Sequence, residues 1–171
     1  EPIKTWRDKD LMQLTGIILT EYESVPYEER PSEILVDSIG LGAGVVDRLI
    51  ELDLPARGIN VAESSSVNQK YVRLRDELWF RGREWLEEKN CIIPKEDETL
   101  IAELSVPRFT YTSSGKLKVE SKDEMKKRGH KSPDVADAFL LTFAGTAVRA
   151  SSGSKYRYNR AIQYPSTNWI V

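Results

Sequence analysis

The feature that most constrains the fold is an aliphatic stretch followed at once by a glycine-rich loop and an amphipathic segment. Residues 33–37 read EILVD, residues 38–44 read SIGLGAG and residues 45–52 read VVDRLIEL. Aliphatic runs of this length favour a strand, glycines permit a tight loop, and apolar residues at three- and four-residue spacing favour a helix. A second strand is predicted at residues 58–61, just after Pro55. Strands that alternate with helices predict an α/β fold.

The remaining elements are predicted from apolar spacing and turn residues. Helices are expected at residues 4–24, 67–89 and 95–104. Residues 108–120 read RFTYTSSGKLKVE, two alternating runs around Ser-Ser-Gly, and this pattern predicts a β-hairpin. Ser132 is expected to cap a last helix, with Pro133 in its first turn.

Composition limits the classes of protein to which the chain can belong. With 171 residues, 40% of them hydrophobic, it can bury a core as one domain, which we place at residues 1–150, before a basic and aromatic tail at 151–171. The net charge of −2 gives no global signal of nucleic-acid binding. The single cysteine, Cys91, excludes internal disulfides and cysteine-rich zinc sites. The longest apolar run, residues 136–148, falls short of the ~20 residues of a membrane span, so no membrane partner is expected.

Three aspartates are candidates for chemistry. Asp134 and Asp137 lie three positions apart at the start of the last predicted helix and therefore share one face. Acids in a first helical turn are favoured by the helix dipole alone, so capping is a sufficient explanation for both. Asp137 lies among apolar residues, where burial of an unpaired carboxylate is costly and a cation would compensate. Asp37 ends a predicted strand, where it either caps the next turn or faces a ligand at the carboxyl edge of the sheet.

A local excess of positive charge leads into the paired aspartates. Residues 116–131 contain seven basic and three acidic side chains. The basic residues are Lys116, Lys118, Lys122, Lys126, Lys127, Arg128 and Lys131. Such a run is a solvated face in many proteins, but its position before the aspartates makes it a candidate phosphate-binding surface.

The glycine-rich loop does not match a nucleotide-binding motif. A dinucleotide fingerprint needs a glycine three positions after its second glycine, but Val45 stands three positions after Gly42, and no GxxxxGK[ST] loop is present. The loop instead predicts a tight bend that leaves space above Asp37. A nucleotide-binding α/β domain remains the less favoured alternative.

Three segments, taken in order, carry a resemblance to a known family. They are VDSIGLGAGVVDRL at residues 36–49, LRDELWFRGREWLEE at 74–88 followed by IIPKED, and KVESKDEMKKRGHKSPDVADAFLLTFA at 118–144. Together they resemble the nuclease domain of the large terminase subunit of tailed bacteriophages, over residues 1–145. The resemblance implies an RNase H-like mixed sheet flanked by helices, with a β-hairpin insertion. It also implies metal-dependent cutting of concatemeric viral DNA during headful packaging.

The same resemblance implies a site and partners. The acid of the family's central strand falls on Asp37 and its late acid on Asp134, with Asp137 as a further ligand or a neighbour of the ligands. Two Mg²⁺ or Mn²⁺ ions, which take oxygen ligands, would activate water and hold the leaving oxygen. The basic residues of 116–131 would lie along the phosphates of double-stranded DNA. The portal protein and the small terminase subunit are expected as partners of the parent protein, in the host cell cytoplasm.

One part of the family pattern is not found in the sequence. RNase H-like nucleases begin with a hairpin whose first strand carries a catalytic aspartate, whereas this chain opens almost directly on a predicted helix at Lys4, with Asp8 and Asp10 inside it. We expect the first strands, their acid and an ATPase domain to be missing from this chain, which alone would bind metal poorly and cut weakly. The alternative is a non-catalytic packaging module that docks to the portal or to DNA.

Overall fold

The computed structural model describes residues 3–89 and 91–145, in which six α-helices and two small sheets are formed. The helices are α1 (Leu11–Ser24), α2 (Gly42–Glu51), α3 (Leu74–Glu87), α4 (Glu98–Ser105), α5 (Lys122–Lys127) and α6 (Asp134–Leu141). The strands are β1 (Ile34–Asp37), β2 (Ala56–Ile59), β3 (Phe109–Tyr111) and β4 (Leu117–Val119). This element order confirms the predicted α/β class.

The described residues fall into two compact units. Among the described residues, the first unit is Trp6–Ile59, and the second unit contains residues 3–5, 60–89 and 91–145. The single domain over residues 1–150 stays a prediction, and the tail at residues 151–171 lies outside the described residues. Within residues 3–89 and 91–145, no helix is both long enough and apolar enough to cross a lipid bilayer.

In the first unit, a helix connects two parallel strands. Residues 34–37 of β1 pair in register with residues 56–59 of β2, and α2 is the crossover between them. The inner face of α2 buries Val45 and Leu49, which form a core with Leu54 against the apolar side chains of α1. This packing explains the apolar spacing of residues 45–52, because a parallel pair of strands needs a crossover whose inner face is apolar.

The glycine-rich loop brings the start of α2 close to the end of β1. Gly40 has a positive φ of 64°, which side chains other than glycine rarely adopt. Gly42 starts α2 so close to the strand that an added Cβ would collide with the carbonyl oxygen of Asp37. The prediction of a tight bend at this loop is therefore confirmed.

In the second unit, α3 carries the hairpin on one side and α6 on another. Asp76, in the first turn of α3 and only 4% exposed, joins the helix to the hairpin. Its Oδ2 accepts a hydrogen bond from the Arg73 backbone N–H at 2.9 Å, and its Oδ1 accepts one from the Val119 N–H at 2.8 Å. Leu78 of α3 and Leu140 of α6 are both 2% exposed and belong to the core of this unit. The predicted hairpin is confirmed, with its turn at residues 113–115.

The first helix begins seven residues later than predicted. The Oδ1 atom of Asp10 accepts a hydrogen bond from the Gln13 N–H at 2.7 Å, so α1 starts at Leu11. Asp8 has a φ of 53°, in the left-handed region, which is incompatible with a continuous right-handed helix. The expectation that both aspartates lie inside a helix is therefore wrong. The apolar spacing predicts too long a helix, because the N-cap residue sets where the helix begins whatever apolar residues precede it.

The helix predicted at residues 67–89 also starts late, at Leu74, for a tertiary reason. The Leu117 N–H donates to the Lys70 carbonyl at 2.8 Å, and the Val72 N–H donates to the Leu117 carbonyl at 3.2 Å. These hydrogen bonds, with the single β-bridge between Tyr71 and Leu117, hold residues 70–72 outside the helix, so a long-range contact overrides local helical spacing.

Smaller differences occur at three other elements. The second strand lies at residues 56–59 instead of 58–61, and the helix predicted at 95–104 lies at Glu98–Ser105. Ser132 does not cap α6, because its hydroxyl donates to Asp134 Oδ1 at 2.8 Å. Pro133 occupies the N-cap position without a side-chain cap, one residue before the first turn in which it was expected.

Candidate active site

The two aspartates of α6 both contact the ammonium group of Lys122. Asp134 Oδ1 accepts a hydrogen bond from Lys122 Nζ at 2.8 Å, and Asp137 Oδ2 lies 3.2 Å from the same nitrogen. The prediction that the two carboxylates share one face of a helix is confirmed. Lys122 is the first residue of α5, so the pair is bridged from a separate element.

Asp137 is held mainly by α3. Its Oδ1 accepts hydrogen bonds from the Trp79 indole Nε1–H at 2.9 Å and from Arg75 Nε at 3.2 Å. Arg75 also donates to the Glu120 carbonyl at 3.1 Å, and its guanidinium lies 5.6 Å from the centre of the Trp79 ring. The carboxylate is 22% exposed, and these donors supply the compensation that its burial requires. Its Oδ1 is therefore committed to the fold, while Oδ2 faces Lys122.

Asp134 is the open member of the pair. Its side chain is 73% exposed, and its Oδ1 accepts hydrogen bonds from Lys122 and from Ser132, both at 2.8 Å. The hydrogen bond from Lys122 holds the pKa of the Asp134 carboxyl below its ordinary value. Burial lowers the pKa of the Lys122 ammonium, but the two neighbouring carboxylates have the larger combined effect and raise that pKa above its ordinary value. The charged form of Asp134 is therefore favoured, and both carboxylates contact the Lys122 ammonium.

Asp37 belongs to the first unit, whereas α6 belongs to the second. Its side chain is exposed at the end of β1, and its Oδ1 accepts a hydrogen bond from the Ile39 N–H at 3.1 Å. The capping role considered for this residue is thus present, and Oδ2 has no hydrogen bond in the described part of the chain. Within residues 3–89 and 91–145, no group of three or more His, Cys, Asp and Glu side chains is arranged to hold a metal. Joint coordination by the three aspartates stays a prediction.

The seven basic residues divide into two groups. Lys122 is bound to the α6 carboxylates, and Arg128 forms a bidentate pair with Glu120 at 2.6 Å for each bond, with a further bond to the Val106 carbonyl at 3.0 Å. These two side chains have structural partners. The other five, of which all but the half-buried Lys116 are exposed, are Lys116, Lys118, Lys126, Lys127 and Lys131.

Three elements of this site were not predicted from the sequence. Arg75 and Trp79 were assigned only to the helix predicted at residues 67–89, although their four-residue spacing was visible and places both on one face. The short helix α5 was read as a run of charges. Its signal was the capping box, in which Ser121 and Glu124 exchange hydrogen bonds with each other's backbone N–H.

Comparison with solved structures identifies the fold. No family model matches the chain, and no curated protein matches it. The nuclease domain of the large terminase subunit gp2 of bacterial virus Sf6 matches with a TM-score of 0.59 and 21% identity, over 74% of this chain and 67% of that chain. The chain has the terminase nuclease fold.

Two further structures of that viral domain match equally well. A lysine-to-alanine variant with manganese gives a TM-score of 0.58 at 20% identity, over 74% of this chain and 68% of that one. The variant with calcium gives 0.57 at 20% identity, over 74% and 67%. The family resemblance read from the sequence is thus supported by the fold. Within the terminase nuclease fold of this chain, the paired acids occupy the first turn of α6.

Proposed function

We propose that this chain is the metal-dependent endonuclease part of a bacteriophage terminase large subunit, which cuts concatemeric double-stranded DNA during genome packaging. The observation that carries the proposal is the pair of carboxylates on α6, bridged by Lys122 within a terminase nuclease fold. Asp137 is locked by Arg75 and Trp79, which is the rigidity that a metal-dependent site requires of its ligands.

The donor set fits Mg²⁺ or Mn²⁺. Carboxylate oxygens are the ligands that both ions prefer, and the Lys122 ammonium marks the space between the two carboxylates as favourable for positive charge. Asp134 and the Oδ2 atom of Asp137 would hold the metal, with Asp37 contributing from the end of β1. Two bound ions would supply an activated water and a clamp for the leaving oxygen. Solved structures of the Sf6 domain contain manganese or calcium, which supports a divalent ion here.

The side chains around the carboxylates orient them and balance their charge. Trp79 and Arg75 fix the Asp137 carboxylate by its Oδ1, so that only Oδ2 is directed towards Lys122. Lys122 contacts both carboxylates and favours the charged form of Asp134. The exposed lysines at 118, 126, 127 and 131 would contact phosphates without reading bases, which suits an enzyme that cuts many sequences.

Partners of this activity follow from the packaging reaction. Double-stranded DNA would be the substrate, and the portal protein and small terminase subunit would act through the parent protein in the host cell cytoplasm. The second candidate is a non-catalytic packaging module that docks to the portal or DNA. The hydrogen bonds that Asp37 and Asp137 accept within the fold favour this candidate, since each acid has a structural partner.

Metal binding and DNA nicking together test the proposal. Terbium luminescence sensitised by tryptophan reports binding near α6, because Trp79 contacts Asp137 directly. We expect terbium to bind and manganese to displace it. Asp134→Asn should weaken terbium binding by about tenfold, which corresponds to ~1.4 kcal/mol. The rate of manganese-dependent nicking of supercoiled plasmid should fall by at least about tenfold in Asp37→Asn and in Asp134→Asn. Glu98→Gln, an acid in the first turn of another helix, is the matched control. Unchanged metal binding and nicking in both aspartate variants would support the docking module.

A further inference from the structure

In the described part of the second unit, one edge of the hairpin is paired and the other has no backbone partner. The Glu120 N–H donates to the Arg108 carbonyl at 2.7 Å, and the Thr112 N–H donates to the Lys116 carbonyl at 2.8 Å. Because inward and outward backbone groups alternate along an antiparallel strand, the N–H and C=O groups of Phe109 and Tyr111 point away from β4. They have no hydrogen-bond partner within residues 3–89 and 91–145.

Backbone N–H and C=O groups of β4 that point away from β3 have partners, in contrast to those of β3. The Leu117 N–H and C=O are paired with Lys70 and Val72, and the Val119 N–H is paired with Asp76 Oδ1. Among residues 3–89 and 91–145, the hairpin is therefore a two-stranded ribbon with neighbours on the β4 side only. An exposed, unpaired strand edge is a template for another extended segment.

The open edge adjoins an apolar groove. The groove has a volume of about 510 Å³ and lies between α3, the end of α4 and the start of β3. Its apolar lining includes Phe80, Leu86, Leu104, Pro107 and Phe109. Phe109 is 45% exposed and Tyr111 is 69% exposed, although their cross-strand partners Val119 and Leu117 are buried. The face of β3 is thus apolar and only half covered.

The charges around the groove select the type of occupant. Arg83, Lys89 and Arg108 line it together with one acid, Glu87, which is paired with Arg83 at 2.8 Å. The surplus is positive, so an acidic occupant is favoured. The tail of this chain, residues 146–171, contains no acidic residue and does not match the surplus. DNA would match the charge, but it offers no backbone donors or acceptors in the register of a strand.

We propose that the open edge of β3 and the adjoining groove form a docking site for an extended, acidic segment of a partner protein. The segment adds as a third strand beside Phe109–Tyr111 and places alternate apolar side chains on the exposed aromatic rings. Its acidic ends meet Lys89 and Arg108. This site uses none of the carboxylates of α6, so it stands independently of the proposed nuclease activity.

A synthetic nonapeptide tests the site. The probe has three valines alternating with two threonines in its centre and two aspartates at each end. Titrated into the full chain labelled with ¹⁵N, it should shift the amide signals of Phe109 and Tyr111 and slow their hydrogen exchange. A peptide with lysines in place of aspartates should bind at least tenfold more weakly. A peptide with N-methylated valines, which cannot donate to the strand edge, should not bind.

Two variants of the chain complete the experiment. Tyr111→Pro removes an outward N–H that the hairpin does not use, so the hairpin is retained and peptide binding is lost. Tyr111→Ala removes the same ring but keeps the N–H, and should retain binding at reduced affinity. Equal thermal stability of the two variants establishes that both are folded.

Several outcomes would overturn the docking proposal. These are no peptide binding at 1 mM, binding that Tyr111→Pro leaves intact, amide shifts confined to residues away from β3, and displacement of the peptide by a DNA duplex. Dimerisation of the free chain that Tyr111→Pro abolishes would also overturn it, because the edge would then be an interface between two copies. Loss of plasmid nicking in Asp134→Asn with unchanged peptide binding would separate this site from the nuclease.

Discussion

The hydrogen bond between Trp79 and Asp137 gives the sharpest test of the site geometry. Trp79→Phe keeps an aromatic ring but removes the Nε1–H that donates to Asp137 Oδ1 at 2.9 Å. The ring is 9% exposed, so water cannot easily replace the lost donor. Hydrogen bonds to charged groups contribute about 1.5–3 kcal/mol. We therefore expect the free energy of unfolding to fall by about 2 kcal/mol.

Urea and thermal unfolding measure this loss. For a chain of this length, 2 kcal/mol corresponds to a fall in Tm of about 4–8 °C. Trp85→Phe is the matched control. Its ring makes tilted and edge-on contacts with Phe139 and Phe143, with centroids 5.9 Å apart in each case, and its indole nitrogen has no hydrogen bond among the described residues. It should cost about 1 kcal/mol or less, from lost ring contact alone.

A double-mutant cycle separates the hydrogen bond from the loss of ring volume. Trp79→Phe, Asp137→Ala and the double variant should give a coupling energy of about 1–2 kcal/mol, since the two side chains touch. A coupling near zero, or equal losses in Trp79→Phe and Trp85→Phe, would refute the assignment of Trp79 as a holder of Asp137.

Three further predictions concern backbone, burial and charge. Gly42→Ala should destabilise the chain because the new Cβ meets the end of β1, whereas Gly16→Ala, with open space in α1, should stabilise it by about 0.5–1 kcal/mol; urea unfolding checks both. Burial raises the pKa of Glu77, but hydrogen bonds from two serines and an arginine outweigh it and lower the pKa. The contribution of ionised Glu77 to the free energy of unfolding is therefore present above pH 4.5 and is lost as the pH falls through its lower folded-state pKa. Glu77→Ala should lower the free energy of unfolding by about 3 kcal/mol at pH 7 and by less in acid. Lys122→Met should raise the pKa of Asp134 towards its ordinary value, measured by carboxyl NMR titration, with a stability change within about 1 kcal/mol because the pair is exposed.

Local elements were the most accurately predicted part of the fold. The stretch EILVD, the glycine-rich loop and α2 were all placed within a few residues, and so was the hairpin around residues 113–115. These elements depend on apolar period and turn chemistry, which act between near neighbours in the chain. The start of α3 could not be predicted in this way, because hydrogen bonds to Leu117 hold residues 70–72 outside the helix.

The candidate site was predicted only in part. The shared direction of Asp134 and Asp137 follows from helical spacing and is confirmed. Lys122 was predicted as a DNA contact, and that role stays a prediction beside its observed bond to both acids. The structural role of Arg128 was not predicted from the sequence. Its partner Glu120 lies eight positions earlier, on the other side of α5, and such a separation has no local spacing signal.

The sequence by itself determined the α/β class, the position of the glycine-rich bend and the pairing of the two acids on one helical face, because each depends on spacings of a few residues. Only the tertiary structure decided what those acids touch. Arg75 and Trp79 reach Asp137 across 62 and 58 positions of chain, and that meeting requires α3 and α6 to pack against each other. Side-chain partners at such separations depend on how whole helices pack, which no local pattern of residues encodes.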